Sequence, residues 1–317
     1  MCDFDCLNSY GISLHNRSEA VCCGLKSWKL TNTVEIRIIS TVISDVGEGP
    51  LYNSDNNSVT WVDITGKKWH QCDFNSGVTT SHSAPKMIGA IVERSSGGYF
   101  GAVEEGFAEI NSTDGYKVVI DFLPEEERMN DAKADSLGRW WAGSNAIDFT
   151  AGKGRLHKIN PDRTYQTVLT GLTLPNGLGW SPDNRKFYLV DTFASSLWLY
   201  DFDYEAGLLS NKKLMHKFED GNGFPDGMCV TEDGTLLIAM WDGSRIEVIS
   251  NTGQVKDPIE LPVKRPTSCT FGGTSGNELI VTTAARELDL NAQPYSGMLL
   301  SLSGTGFSGK ESTKYNG

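Results

Sequence analysis

The chain has 317 residues and a formal net charge of −12. That acid excess speaks against a nucleic-acid surface or an anionic membrane as partner, both of which need clustered Lys and Arg. No run of about 18 apolar residues is present to cross a bilayer as a helix, and at this length one closed all-β domain can bury a large core.

Residues 1–33 stand apart from the rest of the chain. They hold Cys2, Cys6, Cys22 and Cys23, four of the seven cysteines. Their spacing is not that of paired CxxC metal ligands, and the segment reads as a poorly ordered tail. It has neither the basic start nor the apolar core of about seven residues that a secretory leader needs, so a cytoplasmic location is expected. Cys72, Cys229 and Cys269 sit in or beside strand-like runs and read as small buried hydrophobes. Residues 34–42, VEIRIISTV, alternate apolar and polar positions as a strand does. This strand is expected to close a ring by joining the last repeat, which leaves no long exposed edge.

From residue 58 a strand pair recurs, at 58–64 with 68–74, 98–103 with 106–111, 139–144 with 154–160, 186–192 with 196–203, 235–241 with 244–250, and 278–284 with 297–303. Asp and Gly set the turns, since they tolerate left-handed backbone angles, and β-branched and aliphatic residues fill the runs. The first strands start 40, 41, 47, 49 and 43 residues apart. A period near 40 with several short strands per unit predicts a six-bladed β-propeller over residues 34–317. A β-sandwich with evenly spaced hairpins is the rival, but it does not require turn chemistry in phase with the strands.

Polar residues recur in phase ahead of these pairs. Gly47-Glu48-Gly49-Pro50 places a carboxylate between two glycines; Arg128-Met129-Asn130-Asp131, Leu174-Pro175-Asn176-Gly177, a tight Pro225-Asp226-Gly227 corner and Arg265-Pro266-Thr267-Ser268 open later units. Equivalent positions of a radial repeat lie at one height, so Glu48, Asn130, Asn176, Asp226 and Ser268 are expected to converge at one mouth of the central channel. Two carboxylates and two carboxamides form a hard oxygen site suited to Ca²⁺, Mg²⁺ or Mn²⁺. Zn²⁺ is less natural there, because the five histidines are scattered and show no HExxH spacing.

The stretches GEGPLY at 47–52, RMNDAKADSLGRWWAG at 128–143, LPNGLGWSPDNRKFYLVDT at 174–192, FPDGMCV at 224–230 and RPTSCTFGG at 265–273 resemble the SMP-30/gluconolactonase/regucalcin-like family of sugar-lactone hydrolases, which includes the luciferin-regenerating enzyme. The resemblance spans about residues 45–305 in order. It implies a propeller with one divalent cation, Ca²⁺ first and Zn²⁺, Mn²⁺ or Mg²⁺ as the other candidates, held by Glu48, Asn176 and Asp226. It implies that Asp226 is also the catalytic acid/base, and that Arg128, Asn130 and Asp148 contact the substrate, a small sugar lactone. No protein partner is implied. Two positions depart from the family pattern: Ser144-Asn145 stands where Thr-Met is usual and Ala132 where Gly is usual. Both fall beside the substrate pocket rather than on a ligand.

No Ser-His-Asp arrangement is visible: Gly273-Thr274-Ser275-Gly276 is not a GxSxG elbow. The residues leave two other readings open. One is a related metal propeller acting on phosphotriesters or aryl lactones; the other is a non-catalytic cation-binding protein. The pair Arg128 and Asn130 favours a substrate site, since a bare cation site does not need an arginine.

Overall fold

The computed structural model describes residues 27–29, 34–113 and 115–317. Most of the segment read as a tail lies outside the described residues; its described part, β1 (Ser27–Lys29), pairs antiparallel with β2 (Glu35–Ser40). Six blades follow. Blade 1 is β3 (Gly47–Asn53), β4 (Ser58–Asp63), β5 (Lys68–Asp73) and β6 (Thr79–Ser83). Blade 2 is β7 (Ile88–Glu93), β8 (Tyr99–Val103), β9 (Gly106–Asn111) and β10 (Gly115–Asp121). Blade 3 is β11 (Glu127–Ala134), β12 (Trp140–Ala146), β13 (Gly154–Ile159) and β14 (Tyr165–Leu172). Blade 4 is β15 (Pro175–Trp180), β16 (Lys186–Asp191), β17 (Ser196–Asp203) and β18 (Leu208–Lys217). Blade 5 is β19 (Phe224–Val230), β20 (Leu236–Trp241), β21 (Arg245–Ile249) and β22 (Val255–Glu260). Blade 6 is β23 (Pro266–Gly272), β24 (Glu278–Thr283) and β25 (Leu299–Ser303), completed by β2 from the N-terminal side. The chain is thus an all-β six-bladed propeller, closed as the alternation of residues 34–42 predicts.

The recurring pairs in the sequence are the second and third strands of each blade. The innermost strands touch in turn, β3 to β7, β11, β15, β19, β23 and back to β3. Between each pair of neighbouring blades lies one apolar cluster. Trp140, Phe100 and Phe107 join blades 2 and 3, for example, and Trp141, Phe187 and Phe202 join blades 3 and 4. Second strands are covered on both faces, so they read as largely apolar runs such as LLIAMW in β20. Outer strands are water-facing: β6 is TTSHS and mostly exposed.

Each inner strand breaks register near its start. The shifts fall between Glu48 and Leu51, Ile88 and Ala90, Met129 and Ala132, Pro175 and Leu178, Pro225 and Met228, and Pro266 and Ser268. Pro225-Asp226-Gly227 is therefore not a separate corner but a bulge within β19. Bulges of this kind re-aim a side chain out of the ladder. In blade 6 the residue inside the shift is Thr267, whose hydroxyl donates to Gly47 O and Thr282 Oγ1, so the sixth blade uses this position to bind its neighbour. In blade 2 it is Gly89, which has no side chain to offer; a Cβ there would come within 2.6 Å of Asn130 O.

The C-terminal residues 304–317 run across the opposite end of the channel. Ser308 O accepts from Glu232 N of blade 5, and Glu311 accepts from Ser54 N and Oγ of blade 1. Tyr315 exchanges backbone hydrogen bonds with Glu93 and Ser95 of blade 2, and Asn316 N donates to Gly138 O of blade 3. Residues 310–313 cover a cavity of about 150 Å³ lined by Ala132, Lys133, Gly179, Cys229 and Thr270 at that end. Cys72, Cys229 and Cys269 are buried and free, as expected.

Two imidazoles lie in blade cores. His70 bonds Ser81 Oγ at 2.8 Å, and His157 bonds Ser144 Oγ at 2.9 Å and Thr167 Oγ1 at 3.1 Å. Burial pushes both down to about 4. Below their unfolded value of about 6.5 the unfolded chain binds protons that the folded chain refuses, so stability falls as pH drops from about 6.5 towards 4. We expect the loss to reach roughly 2–3 kcal/mol per imidazole at its full extent. Denaturant unfolding of the wild type and of His70→Gln/His157→Gln at pH 7 and pH 5 checks this. The wild type should lose more stability than the double variant, and equal losses would refute it.

Candidate functional site

The bulged residues meet at the end of the channel where the inner strands begin. Glu48 on β3, Asn130 and Asp131 on β11, Asn176 on β15 and Asp226 on β19 are all buried, each between 5% and 6% exposed. Buried acids brace the approach to two of them. Asp63 at the end of β4 accepts from Asp45 N and Val46 N at 3.0 Å, just before Glu48. Asp191 at the end of β16 accepts from Thr173 N and Leu174 N, just before Asn176. The glycines after the polar residues are required by close approach: a Cβ at Gly177 would lie 2.5 Å from Asp226 O, and one at Gly227 would lie 2.3 Å from Ser268 Oγ.

Asn176 Nδ2 donates to Asp226 Oδ1 and, at 3.2 Å, to Thr192 Oγ1. Its Oδ1 is buried with no hydrogen-bond partner. Glu48 Oε2 accepts from Gly49 N at 3.0 Å. Asp131 Oδ1 accepts from Ala132 N at 2.7 Å, while its Oδ2 is buried and unpartnered. Burial holds the Glu48 carboxyl well above the usual carboxylate range, and the charges of Asp226 and Asp131 push it the same way. Burial, then Asp131, also raises Asp226, against the pull of Asn176, Arg128 and Gly227 N–H. Burial raises Asp131 too, opposed by Lys133 and Ala132 N–H.

Arg128 is the cation facing this group. Burial lowers it to about 10, opposed by the fields of Glu48, Glu104 and Asp226. Its Nη1 donates to Asn130 Oδ1 and to Met129 O, each at 2.9 Å, and Asn130 Nδ2 donates to Pro175 O at 3.0 Å. Both ends of the Asn130 amide are therefore engaged within the protein, and it holds Arg128 in place. Lys133 reaches away, to Met228 O.

Three carboxyl groups thus share a buried site with one facing guanidinium, and an amide oxygen beside them lacks a partner. Buried acids in this state either take up protons or gain a cation. Among the described residues no group of three His, Cys, Asp or Glu side chains is placed to hold an ion. The donor set that fits is instead mixed, two carboxylates and a neutral amide oxygen, which is the kind of oxygen set a hard divalent cation takes.

The structure brings together Glu48, Arg128, Asn130, Asn176 and Asp226. It does not bring Asp148 into that group. Asp148 is exposed on the loop after β12, where its Oδ1 accepts from Thr150 N at 2.9 Å and Thr150 Oγ1 at 2.7 Å. These bonds keep its carboxyl below the usual range. Ser268 is buried but serves as a packing neighbour of Gly227. The reading of the sequence missed Asp131 as a site acid. Its place next to Asn130 inside the β11 register shift is the signal that marks it.

The described residues include no helix long and apolar enough to cross a membrane. Residues 46–285 match the family model described as SMP-30/Gluconolactonase/LRE-like region. Regucalcin of Danio rerio is 31% identical over 294 residues, covering 90% of this chain and 100% of that protein. Among solved structures, a luciferin-regenerating enzyme superposes with a TM-score of 0.80 at 27% identity, covering 87% of this chain and 97% of that one. A calcium-binding protein, regucalcin, from Agrobacterium tumefaciens superposes with a TM-score of 0.83 at 23% identity, covering 88% and 96%. The chain belongs to the SMP-30/gluconolactonase/LRE-like family.

Proposed function

We propose that this protein is a divalent-cation-dependent lactonase that opens a sugar lactone to its aldonic acid, with Glu48, Asn176 and Asp226 holding the cation. The observation that carries the reading is Asn176: its Nδ2 is fixed on Asp226 and Thr192 while its Oδ1 lies buried and unbonded beside mutually repelling acids. Leaving an acceptor unsatisfied in a buried site is costly, and a cation would satisfy it and neutralise the acids together. The family name supports a lactone substrate, and the calcium-binding description of the Agrobacterium relative supports Ca²⁺ as first candidate.

A bound divalent cation supplies Lewis-acid polarisation of the lactone carbonyl. The remaining work falls to the chain. Asp226 accepts the proton of the attacking water and returns it to the ring oxygen as the ring opens. Arg128, held by Asn130 Oδ1 and Met129 O, presents donors to substrate hydroxyls and to the carboxylate that forms. Asn130 fixes that guanidinium and keeps spare acceptor capacity on Oδ1. The acids are themselves buried, which keeps bulk water from them.

A pH-indicator assay on chelator-treated protein tests this, with a panel of aldonolactones and Ca²⁺, Zn²⁺, Mn²⁺ or Mg²⁺ added back. We expect turnover to be absent without metal and restored by at least one cation. A protein that binds cation but opens no lactone would instead be a cation-binding protein, and the lactonase reading would fail.

A further inference from the structure

Three phenylalanines stand exposed around the same mouth. Phe149 is 40% exposed, Phe193 47% and Phe224 41%, and Ile147, two residues before Phe149, is 42% exposed. They form a chain of edge-to-face contacts, Phe149 to Phe193 at 5.2 Å and Phe193 to Phe224 at 5.9 Å between ring centres. One comes from each of blades 3, 4 and 5, and each is close in sequence to a site group. Phe224 opens β19 two residues before Asp226. Phe193 follows Thr192, whose hydroxyl accepts from Asn176. Phe149 follows β12, whose Asn145 pairs with Arg128.

The fold gains little by leaving these rings in water, and contiguous exposed apolar surface beside a polar site marks a binding surface. Phe149 also sits at φ 58°, a left-handed conformation that is unfavourable for a bulky residue. The turn that holds it there is fastened by the two hydrogen bonds from Thr150 to Asp148. Strained residues of this kind persist where they present a group to a ligand. The adjoining part of the mouth, on blades 2 and 3, is polar, with Glu104 and the side-chain-free Gly89 on blade 2 and Arg128 on β11 of blade 3.

We infer that the wall of Phe149, Phe193 and Phe224 sets substrate choice, and that the preferred lactone carries an apolar, ring-sized substituent lying on blades 3 to 5 while its polar ring faces Arg128. This rests on the lactonase reading above and narrows its substrate class. It also gives Asp148 a task, shaping the turn that presents Phe149.

The test compares glucono-δ-lactone with the same lactone bearing a benzyl ether on its primary hydroxyl, in wild type, Phe193→Ala and Phe193→Ala/Phe224→Ala. Wild type should favour the benzyl ether by about tenfold or more in kcat/KM. The ratio should fall towards one in the double variant. No preference in wild type, or a preference that survives in the double variant, overturns the inference. If neither lactone is opened, the fault lies with the lactonase reading, and the wall is tested apart from it. Saturation-transfer NMR with the ring-opened benzyl acid then reads contact to the phenyl protons. Transfer in wild type that is lost in the double variant supports the wall, and absence of transfer in wild type refutes it. Thermal unfolding of both variants, expected near wild type because the rings are exposed, confirms that they are folded.

Discussion

Asp226→Asn should lower kcat/KM for lactone opening by about a thousandfold or more, and it should make the metal-free protein more stable rather than less. The first effect follows from the two tasks placed on one carboxyl. General acid–base catalysis alone contributes about 10²–10⁴-fold, and the amide would also weaken the cation site. The second follows from electrostatics. Asp226 is buried, raised by desolvation and by Asp131, and its charge also raises Glu48. An amide of the same shape removes that repulsion while its oxygen can still accept from Asn176. Under the proposed function, activity would be held at the expense of stability, as at many active sites. Steady-state kinetics with excess cation, beside thermal unfolding in chelator, reads both effects. Retained activity, or a lower unfolding temperature in chelator, would contradict this role of Asp226.

Tyr315→Ala should destabilise the protein by about 3–5 kcal/mol, the range for truncating a large buried aromatic. Tyr315 is fully buried near the C-terminus. Its ring stacks on Phe100 at 4.8 Å and its hydroxyl donates to Asn160 O at 2.8 Å. Its backbone ties residues 304–317 to blade 2, and the next residue ties them to blade 3. The truncation therefore opens a cavity between two blades and loosens the strap over the far end of the channel. Tyr315→Phe keeps the ring and loses one hydrogen bond, so about 1 kcal/mol is expected. Because the strap lies opposite Asp226, activity per folded molecule should be retained. Urea unfolding of the two variants separates these contributions, and equal losses would show that the hydroxyl, not the ring packing, carries the effect.

The architecture was legible because the second and third strands of each blade are mostly buried, which gives apolar or alternating runs in phase with the Asp and Gly turns. Apart from β2, the outer strands were not legible. β18 carries Asn211, Lys212 and Lys213 and is largely exposed, so no burial imposes a pattern, and the ladder to β17 alone makes it a strand. The ring of polar residues was legible from phase, but the reason for it was not. Asp226 reads as part of a turn because Pro-Asp-Gly favours turns locally, whereas the inner strand overrides that preference and turns the segment into a bulge. For Asn130 the resemblance implies a substrate contact; the structure adds that both ends of its amide bond within the protein, which linear sequence does not show. Phe149 and Phe193 lie in two separate connections and Phe224 at the start of β19, and nothing in linear sequence shows that their rings touch. The strap is hidden for the same reason, since the partners of Tyr315 belong to blades far back in the chain.

Whether a cation sits on this ring is decided by a calorimetric titration of Ca²⁺ into chelator-treated protein, repeated with Glu48→Gln and Asn176→Ala. One cation per chain is expected, bound at least about tenfold more weakly in each variant, since each removes one ligand oxygen from a small set. Absence of binding in the wild type, or binding unchanged by both substitutions, would contradict the assignment of the cation to Glu48, Asn176 and Asp226.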